Sequence, residues 1–434
     1  MKEKFITVIL TIIITAVPIA ILPDAKQYNL AKICILLTSG AILLILMILN
    51  HKKIKLDKKD FLILIFGGLV LLSTIFSTNL DRSIIGSRNR YEGMLAIFTY
   101  ILIYLCAKKF LKYKNKKTIL VIIHIIYILI SILGICQRYI KMPTNDFVPI
   151  FNKSVSGTFG NTNFMGNFVS MGIPIFIIWY IVKGYKISLI TSLLVFFNLI
   201  ACYARSGWVA FFVFSIILLV YLIKNKNIKY FVRTIILAIC FSIIFTSIYL
   251  EKNNMVKTKI LVAKYDVKII QNEIQNNIEK KENENLTKQI KNEDIINKVG
   301  SGRIQIWKIV LELIQKYPWL GVGTDNLAKG ICDNLTETSI DFVTRTDTLP
   351  DKAHNEYLHI AVTIGVPAMI IYIIFISSIL LPKLKRIFSE ESVFIIGSVI
   401  ISYLVQAFFN ISTIGIAPLF WFALGLIDNQ SQIE

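Results

Sequence analysis

Nine arginines punctuate a chain that otherwise relies on lysine for positive charge. The arginine fork matches phosphate oxygens in pairs and stays charged at any physiological pH, so its placement is a first guide to chemistry. Arg205 stands in Tyr203-Ala204-Arg205-Ser206-Gly207-Trp208, between two apolar runs with almost no loop. Ser206 is a plausible N-cap for the next helix, and unsatisfied amides beside the guanidinium would make an anion site. Arg303 and Trp307, spaced i,i+4, share one face of a helix expected over Arg303 to Lys316. A cation in a first helical turn opposes the dipole, which favours a ligand as the reason for Arg303. His354 follows Pro350 and Asp351, a helix-start signal with Asp351 as N-cap, which places the imidazole in the first turn. The helix start and nearby arginine lower its pKa and favour the neutral form that a general base requires, while a bound diphosphate would act the other way.

The segment Gly86-Ser87-Arg88-Asn89-Arg90-Tyr91-Glu92-Gly93 adds two arginines and a glutamate, and in an extended loop Arg88 and Arg90 point the same way. Each feature has a plainer alternative. Arg205 can snorkel at a bilayer surface, Arg82, Arg138 and Arg345 can meet head groups or loop carboxylates, and Trp307 can pack with Ile306, Val310 and Ile314. His359 falls one turn deeper and off the His354 face, while His51 and His124 lie elsewhere, so His354 is the histidine placed for catalysis.

The elements that must position these groups are membrane helices. The 434 residues carry 47 Lys+Arg against 27 Asp+Glu, a net charge of +20 that alone would suggest nucleic acid. Yet 55% of residues are hydrophobic and 17% charged, with mean hydropathy +0.66, which identifies an integral membrane protein and excludes a nucleic-acid partner. Six cysteines are too sparse for a disulfide scaffold, and none has metal-ligand spacing, so neither a zinc site nor a disulfide is expected, and no cofactor.

About twelve apolar runs are long enough to read as spans. They are Phe5 to Leu22, Leu30 to Leu49, Phe61 to Ser77, Met94 to Leu111, Thr118 to Ile140, Phe164 to Val182, Ile187 to Ala204, Ser206 to Ile223, Phe231 to Leu250, Glu356 to Leu381, Val393 to Phe409 and Ile411 to Ile427. The first is read as a span, not a cleaved signal peptide, for want of a small-residue cleavage site. Lysines cluster in alternate loops (Lys52 to Lys59, Lys108 to Lys117, Lys183 and Lys186, Lys224 to Arg233, Lys383 to Arg386), which makes those loops and both termini cytoplasmic. On this topology all arginines but Arg233 and Arg386 face outward, the reverse of the topology rule, so the outer set points to an anionic, phosphorylated ligand. The expected organisation is nine transmembrane helices over 1–250, an extracytoplasmic helical loop over 251–353, and three helices over 354–434. The first half of that loop, through Ile296, mixes Lys, Glu, Asn and Ile as solvated amphipathic helices do; Gly300-Ser301-Gly302 then breaks the chain before Arg303, and Pro318, Gly321 and Gly323 stop the helix that follows.

Taken in order, Ser301-Gly302-Arg303 with Trp307, Tyr317-Pro318-Trp319-Leu320-Gly321-Val322-Gly323, and Ala353-His354-Asn355-Glu356-Tyr357-Leu358 running into Gly365-Val366-Pro367 resemble the signature of the O-antigen ligase and polymerase superfamily of bacterial membrane proteins. Supporting matches are Arg88 to Gly93, Gly157 to Asn163 and Arg205-Ser206-Gly207, so the resemblance covers most of the chain. It implies an all-α, C-type glycosyltransferase-like membrane fold and a metal-independent, extracytoplasmic enzyme of the bacterial plasma membrane. Such an enzyme takes a glycan from an undecaprenyl-diphosphate carrier to a glycan, lipid or protein hydroxyl. By the same resemblance Arg205 and Arg303 hold the diphosphate and His354 activates the acceptor. Substrate contacts would come from Arg88, Arg90, Glu92, Asn161, Asn163, Trp307, Asn355 and Tyr357. The stretch Asn161-Thr162-Asn163 departs from the usual Asn-Pro-Asn-like pattern, which weakens the donor-positioning role of that loop. Polymerase, ligase and protein oligosaccharyltransferase remain open, as does a lipid-linked glycan flippase, although transporters place ionisable groups near the bilayer midplane and this chain collects them at the outer boundary.

Overall fold

The computed structural model describes residues 2–22, 28–88, 90–111, 116–140, 155–251, 256–262 and 302–429. Asn89, the loop at 141–154, most of the insertion's first half and the Gly300-Ser301 break lie outside the described residues. The regular elements described are helical: α1 (Lys2–Ile19), α2 (Leu30–Leu49), α3 (Lys58–Ile75), α4 (Leu80–Ile85), α5 (Met94–Phe110), α6 (Lys116–Tyr139), α7 (Thr162–Lys183), α8 (Lys186–Ala201), α9 (Arg205–Asn225), α10 (Ile228–Tyr249), α11 (Arg303–Lys316), α12 (Leu327–Asp333), α13 (Glu337–Thr346), α14 (Glu356–Thr363), α15 (Val366–Leu380), α16 (Leu384–Ile387), α17 (Glu391–Phe409) and α18 (Ala417–Asp428). Among the described residues, seven helical stretches are long and apolar enough to cross a bilayer; α1, α8 and α18 contribute shorter apolar helices. The chain is thus a polytopic, all-helical membrane protein.

Helix α7 is the hub, with 94% of its apolar window buried, and it packs on α8, α9, α10 and α17. Close approach depends on glycine, because lipid offers no hydrophobic drive between helices and contact must come from backbone proximity. A Cβ at Gly172 would collide with the Tyr127 ring, and one at Gly166 with Ala204, the residue before Arg205. Gly425 does the same for α18 against α5, where a Cβ would come within 2.6 Å of the Ala107 methyl.

Two expected spans are not continuous. The run from Glu356 to Leu381 divides into α14 and α15 at Ile364-Gly365. There the carbonyls of Val362 and Thr363 accept from the amides of Val322 and Gly323, each at 2.9 Å, and the Val366 amide donates to Pro318 at 2.8 Å. Backbone from the insertion between α10 and α14 thereby takes over hydrogen bonds that an unbroken helix would make within itself. Gly321 (φ +63) and Gly365 (φ +110) allow two chains to lie this close, since a Cβ on Gly321 would come within 2.5 Å of Thr363 backbone. The last run, Ile411 to Ile427, becomes helical only at Ala417, because Pro418 suits a helix start and residues 410–416 fold as turns. At 12 residues α18 is about 18 Å long, short of a bilayer core of about 30 Å.

The insertion has a second, small core, in which Ile306, Ile309, Val310 and Leu313 of α11 meet Val322, Leu327, Ile331 and Phe342. Val362 of α14 and Ala353 complete it, so this core is built onto the membrane body.

At the opposite, lysine-rich end, Lys108 is 5% exposed and pairs with Asp57 (2.7 Å), Asp60 (2.8 Å) and Asp428 (2.7 Å). Lys59 reaches Asp428, Lys109 reaches Asp60 at 2.5 Å, and the Tyr104 hydroxyl donates to Asp428 at 2.8 Å. The group clamps α3, α5 and α18 about 25 Å, one α5 length, from the arginines. Lys59 and Lys109 keep hold of Asp428 and Asp60 when Lys108 is removed, so Lys108→Met should cost about 1.5–3 kcal/mol of stability, the loss of charged hydrogen bonds and not of a sole partner. Thermal unfolding in detergent checks this; an unchanged Tm would show that the clamp is dispensable.

Candidate functional site

Arg205 is the first residue of α9 and follows a tight turn in which Tyr203 is left-handed (φ +56). Arg138 holds that turn by donating to the Tyr203 hydroxyl at 2.7 Å, and itself pairs with Glu251. Helix α9 begins two residues earlier than an N-cap at Ser206 implies. Ala204, not Ser206, is the N-cap, and no side-chain oxygen caps the helix there. The Ser206 hydroxyl is instead buried without a hydrogen-bond partner, because the left-handed Tyr203 turns the chain into the helix before Ser206 is reached.

Arg303 also opens a helix, immediately after left-handed Gly302 (φ +77). Burial, and then the positive charge of Arg205, hold its guanidinium below the ordinary value. Two arginines about 100 positions apart in sequence thus come close enough to repel each other. Arg303 remains a cation, since guanidinium does not lose its proton in proteins.

His354 lies just before α14 and not inside it. The N-cap is Asn355, whose side chain accepts from the Leu358 amide at 3.0 Å. Asp351, expected as the cap, is drawn away by the Arg90 Nε at 2.7 Å. His354 is left-handed (φ +50), uncommon for a residue with a side chain. Its pKa falls to about 4, through burial first and then the charges of Arg303 and Arg90, with Asp351 opposing. The expected direction holds, with burial outweighing arginine. Arg205, Arg303, Arg90 and His354, scattered over four loops, therefore share one neighbourhood.

The Arg88–Glu92 segment is a turn and not extended, because the Arg90 and Tyr91 amides both donate to the Ser87 carbonyl (2.9 and 2.8 Å). Arg88 is consequently exposed, whereas Arg90 turns inward to Asp351 and lies over the Phe164 ring at 5.6 Å. Glu92 is buried and faces Lys352 at 3.2 Å, with the Ser412 hydroxyl donating to it at 2.7 Å. Asn161 caps α7 by accepting from the Asn163 amide at 2.8 Å, and the Asn163 carbonyl accepts from Asn410 at 3.3 Å. Trp307 donates to the Ala353 carbonyl at 2.9 Å and sets its ring edge-on to Phe408, and Tyr357 donates to the Leu404 carbonyl at 3.2 Å. Trp307 thereby links the Arg303 helix to the residue before His354. Of the remaining arginines expected on the outer side, Arg82 donates to the Asp325 carbonyl at 2.9 Å and Arg345 pairs with Asp341 at 2.6 Å.

Sequence reasoning missed Lys352, Asp325 and the buried Glu356, which accepts from the hydroxyls of Tyr372 and Tyr403, each at 2.8 Å. A loop lysine or aspartate carries no periodic signal, so only its burial distinguishes it from solvated neighbours.

Residues 190–373 match the family model described as O-antigen ligase, a stretch that runs from α8 into α15 and includes Arg205, Arg303 and His354. No curated protein matches the chain.

The left-handed backbone at His354 makes a local stability prediction. Asparagine tolerates this conformation, so His354→Asn should leave Tm nearly unchanged, whereas β-branched His354→Val should cost about 1–2 kcal/mol. Equal unfolding temperatures for the two variants would show that the backbone there is unstrained.

Proposed function

From the O-antigen ligase domain carried by residues 190–373, we propose that this multi-pass bacterial membrane protein is an extracytoplasmic glycosyltransferase. Its donor is a glycan on undecaprenyl diphosphate and its acceptor a hydroxyl of a glycan, lipid or protein. The observation that carries this reading is the convergence of Arg205 and Arg303 beside a neutral histidine. Two partly buried guanidinium groups within electrostatic reach of each other suit a ligand with several anionic oxygens, and a diphosphate has oxygens for both.

The acceptor oxygen attacks the anomeric carbon, and the bond from that carbon to the diphosphate oxygen breaks. The departing diphosphate gains negative charge, which Arg205, Arg303 and the amides opening α9 stabilise more in the transition state than in the ground state. His354 takes the hydroxyl proton. The products are a new glycosidic bond and free undecaprenyl diphosphate. Arg90, tethered by Asp351, borders this site and adds a small contribution to the burial and the Arg303 charge that keep His354 unprotonated. The positive-inside distribution of lysine supports an outer location for the arginines.

A flippase reading draws on the broken helix at Gly365, a feature of transporters. Here the freed carbonyls are taken by Val322 and Gly323 of the same chain, which leaves the break a structural joint and favours the enzyme.

With an undecaprenyl-diphosphate oligosaccharide, candidate acceptors and a chelator present, the purified protein should form polymer or conjugate. Arg205→Ala, Arg303→Ala and His354→Ala should each lower kcat/KM by about 100-fold or more. Full turnover in both His354→Ala and Arg205→Ala would sink the assignment, and carrier translocation without bond formation would replace it with transport.

A pH dependence also follows. With His354 at about 4 in the free protein, kcat/KM should stay level from about pH 8 down to about pH 5 and fall only below that. The bound diphosphate raises the imidazole pKa, so the acid limb of kcat should lie at higher pH than that of kcat/KM. An acid limb of kcat/KM near pH 6.5 would mean that a histidine in ordinary surroundings is the base.

A further inference from the structure

We propose that Lys352 is a positioning residue of the transfer site, a buried strap that fixes the loop carrying His354; this rests on the reading above. Lys352 is 1% exposed, and its ammonium lies 2.9 Å from Asp325 Oδ1 and 3.2 Å from Glu92 Oε2. Neither carboxylate is available to swing away. Glu92 also accepts from Ser412, and the other Asp325 oxygen accepts from the Ser87 amide at 2.6 Å. One side chain therefore joins the loop before α5, the turn before α12, the segment before α14 and the turns before α18.

The neighbours of Lys352 are tied just as individually. Asp351 is held by Arg90, and the Ala353 carbonyl by Trp307 of the helix that Arg303 opens. Three consecutive residues before His354 are thus anchored to different parts of the fold. The conformations this imposes are unusual: Tyr91, beside Glu92, Asp325 itself and His354 are all left-handed non-glycine residues. Such conformations persist where surrounding structure over-determines them, and they gather at functional sites. A lysine serving stability alone would have no reason to be surrounded by three of them, two positions from the proposed base. The strap sets where the imidazole sits relative to the Arg205–Arg303 pair without touching substrate.

The test uses the full chain in lipid nanodiscs, with Lys352→Met and the milder Glu92→Gln, which leaves Asp325 on the lysine. A displaced base should lower turnover by about 100-fold in Lys352→Met and about tenfold in Glu92→Gln. Affinity for undecaprenyl diphosphate should change less than about threefold, since Arg205 and Arg303 sit on other elements. Hydrogen exchange of peptides over 349–358 should rise while α7 stays protected. Turnover within threefold of wild type in Lys352→Met overturns the proposal, as does a parallel loss of carrier affinity, or exchange that rises equally throughout. If wild-type protein forms no glycosidic bond with any acceptor, the functional reading fails, whereas the exchange pattern still decides whether Lys352 is the strap. If Lys352→Met does not fold, unchanged local exchange and turnover in Glu92→Gln overturn it.

Discussion

An ammonium group removed from water must find hydrogen-bond acceptors, carboxylates above all if it is to stay charged, and the placement of Lys352 between Glu92 and Asp325 is the constraint around which the arginine-bearing end is organised. Because the three residues come from distant parts of the chain, satisfying one charge brings three loops to a common point. The gain in rigidity is local and directional. It reaches Arg90 through Asp351, the Arg303 helix through Ala353 and Trp307, and His354 through the peptide bonds that follow.

The three residues proposed for catalysis share a mode of delivery. Arg205 comes two residues after left-handed Tyr203, Arg303 one residue after left-handed Gly302, and His354 is itself left-handed. A left-handed residue reverses the chain abruptly, so a side chain can project from the very start of a helix instead of from its flank. Each reversal has its own support: Arg138 on Tyr203, the absence of a Cβ at Gly302, and the ion group beside His354. The electrostatic outcome follows from these placements. Arg303 comes within electrostatic reach of Arg205, and burial together with the charges of Arg303 and Arg90 holds the His354 imidazole down at about 4.

The lysine-rich end obeys the same rule with a different result. Lys108 and its aspartates close α3, α5 and α18 together, and none of Asp57, Asp60, Lys108 and Asp428 is left-handed. Paired buried charge at one end clamps helices, and at the other it holds loops out of their preferred shapes. The break between α14 and α15 belongs to this second pattern, since outer backbone replaces the helical hydrogen bonds and locks the insertion's small core to the membrane body.

Apolar runs, lysine asymmetry and the helix start at Arg303 were legible from the residues, because hydrophobic length, charge pattern and a Gly-rich break are local properties that do not depend on partners. Arg205, Arg303 and His354 were singled out on the same basis, from residue type and proximity to a helix start. The caps at Ala204 and Asn355, the inward turn of Arg90, the split of the run from Glu356 to Leu381 and the burial of Lys352 were not legible. Ser206 and Asp351 are both good caps by composition, and each lost that role to an interaction made with a distant segment. Sequence determined which residue types are present for chemistry and which stretches are apolar enough to cross a membrane. Tertiary structure decided which charges face one another, because a buried ion's energy depends on the partner it meets and not on its neighbours along the chain.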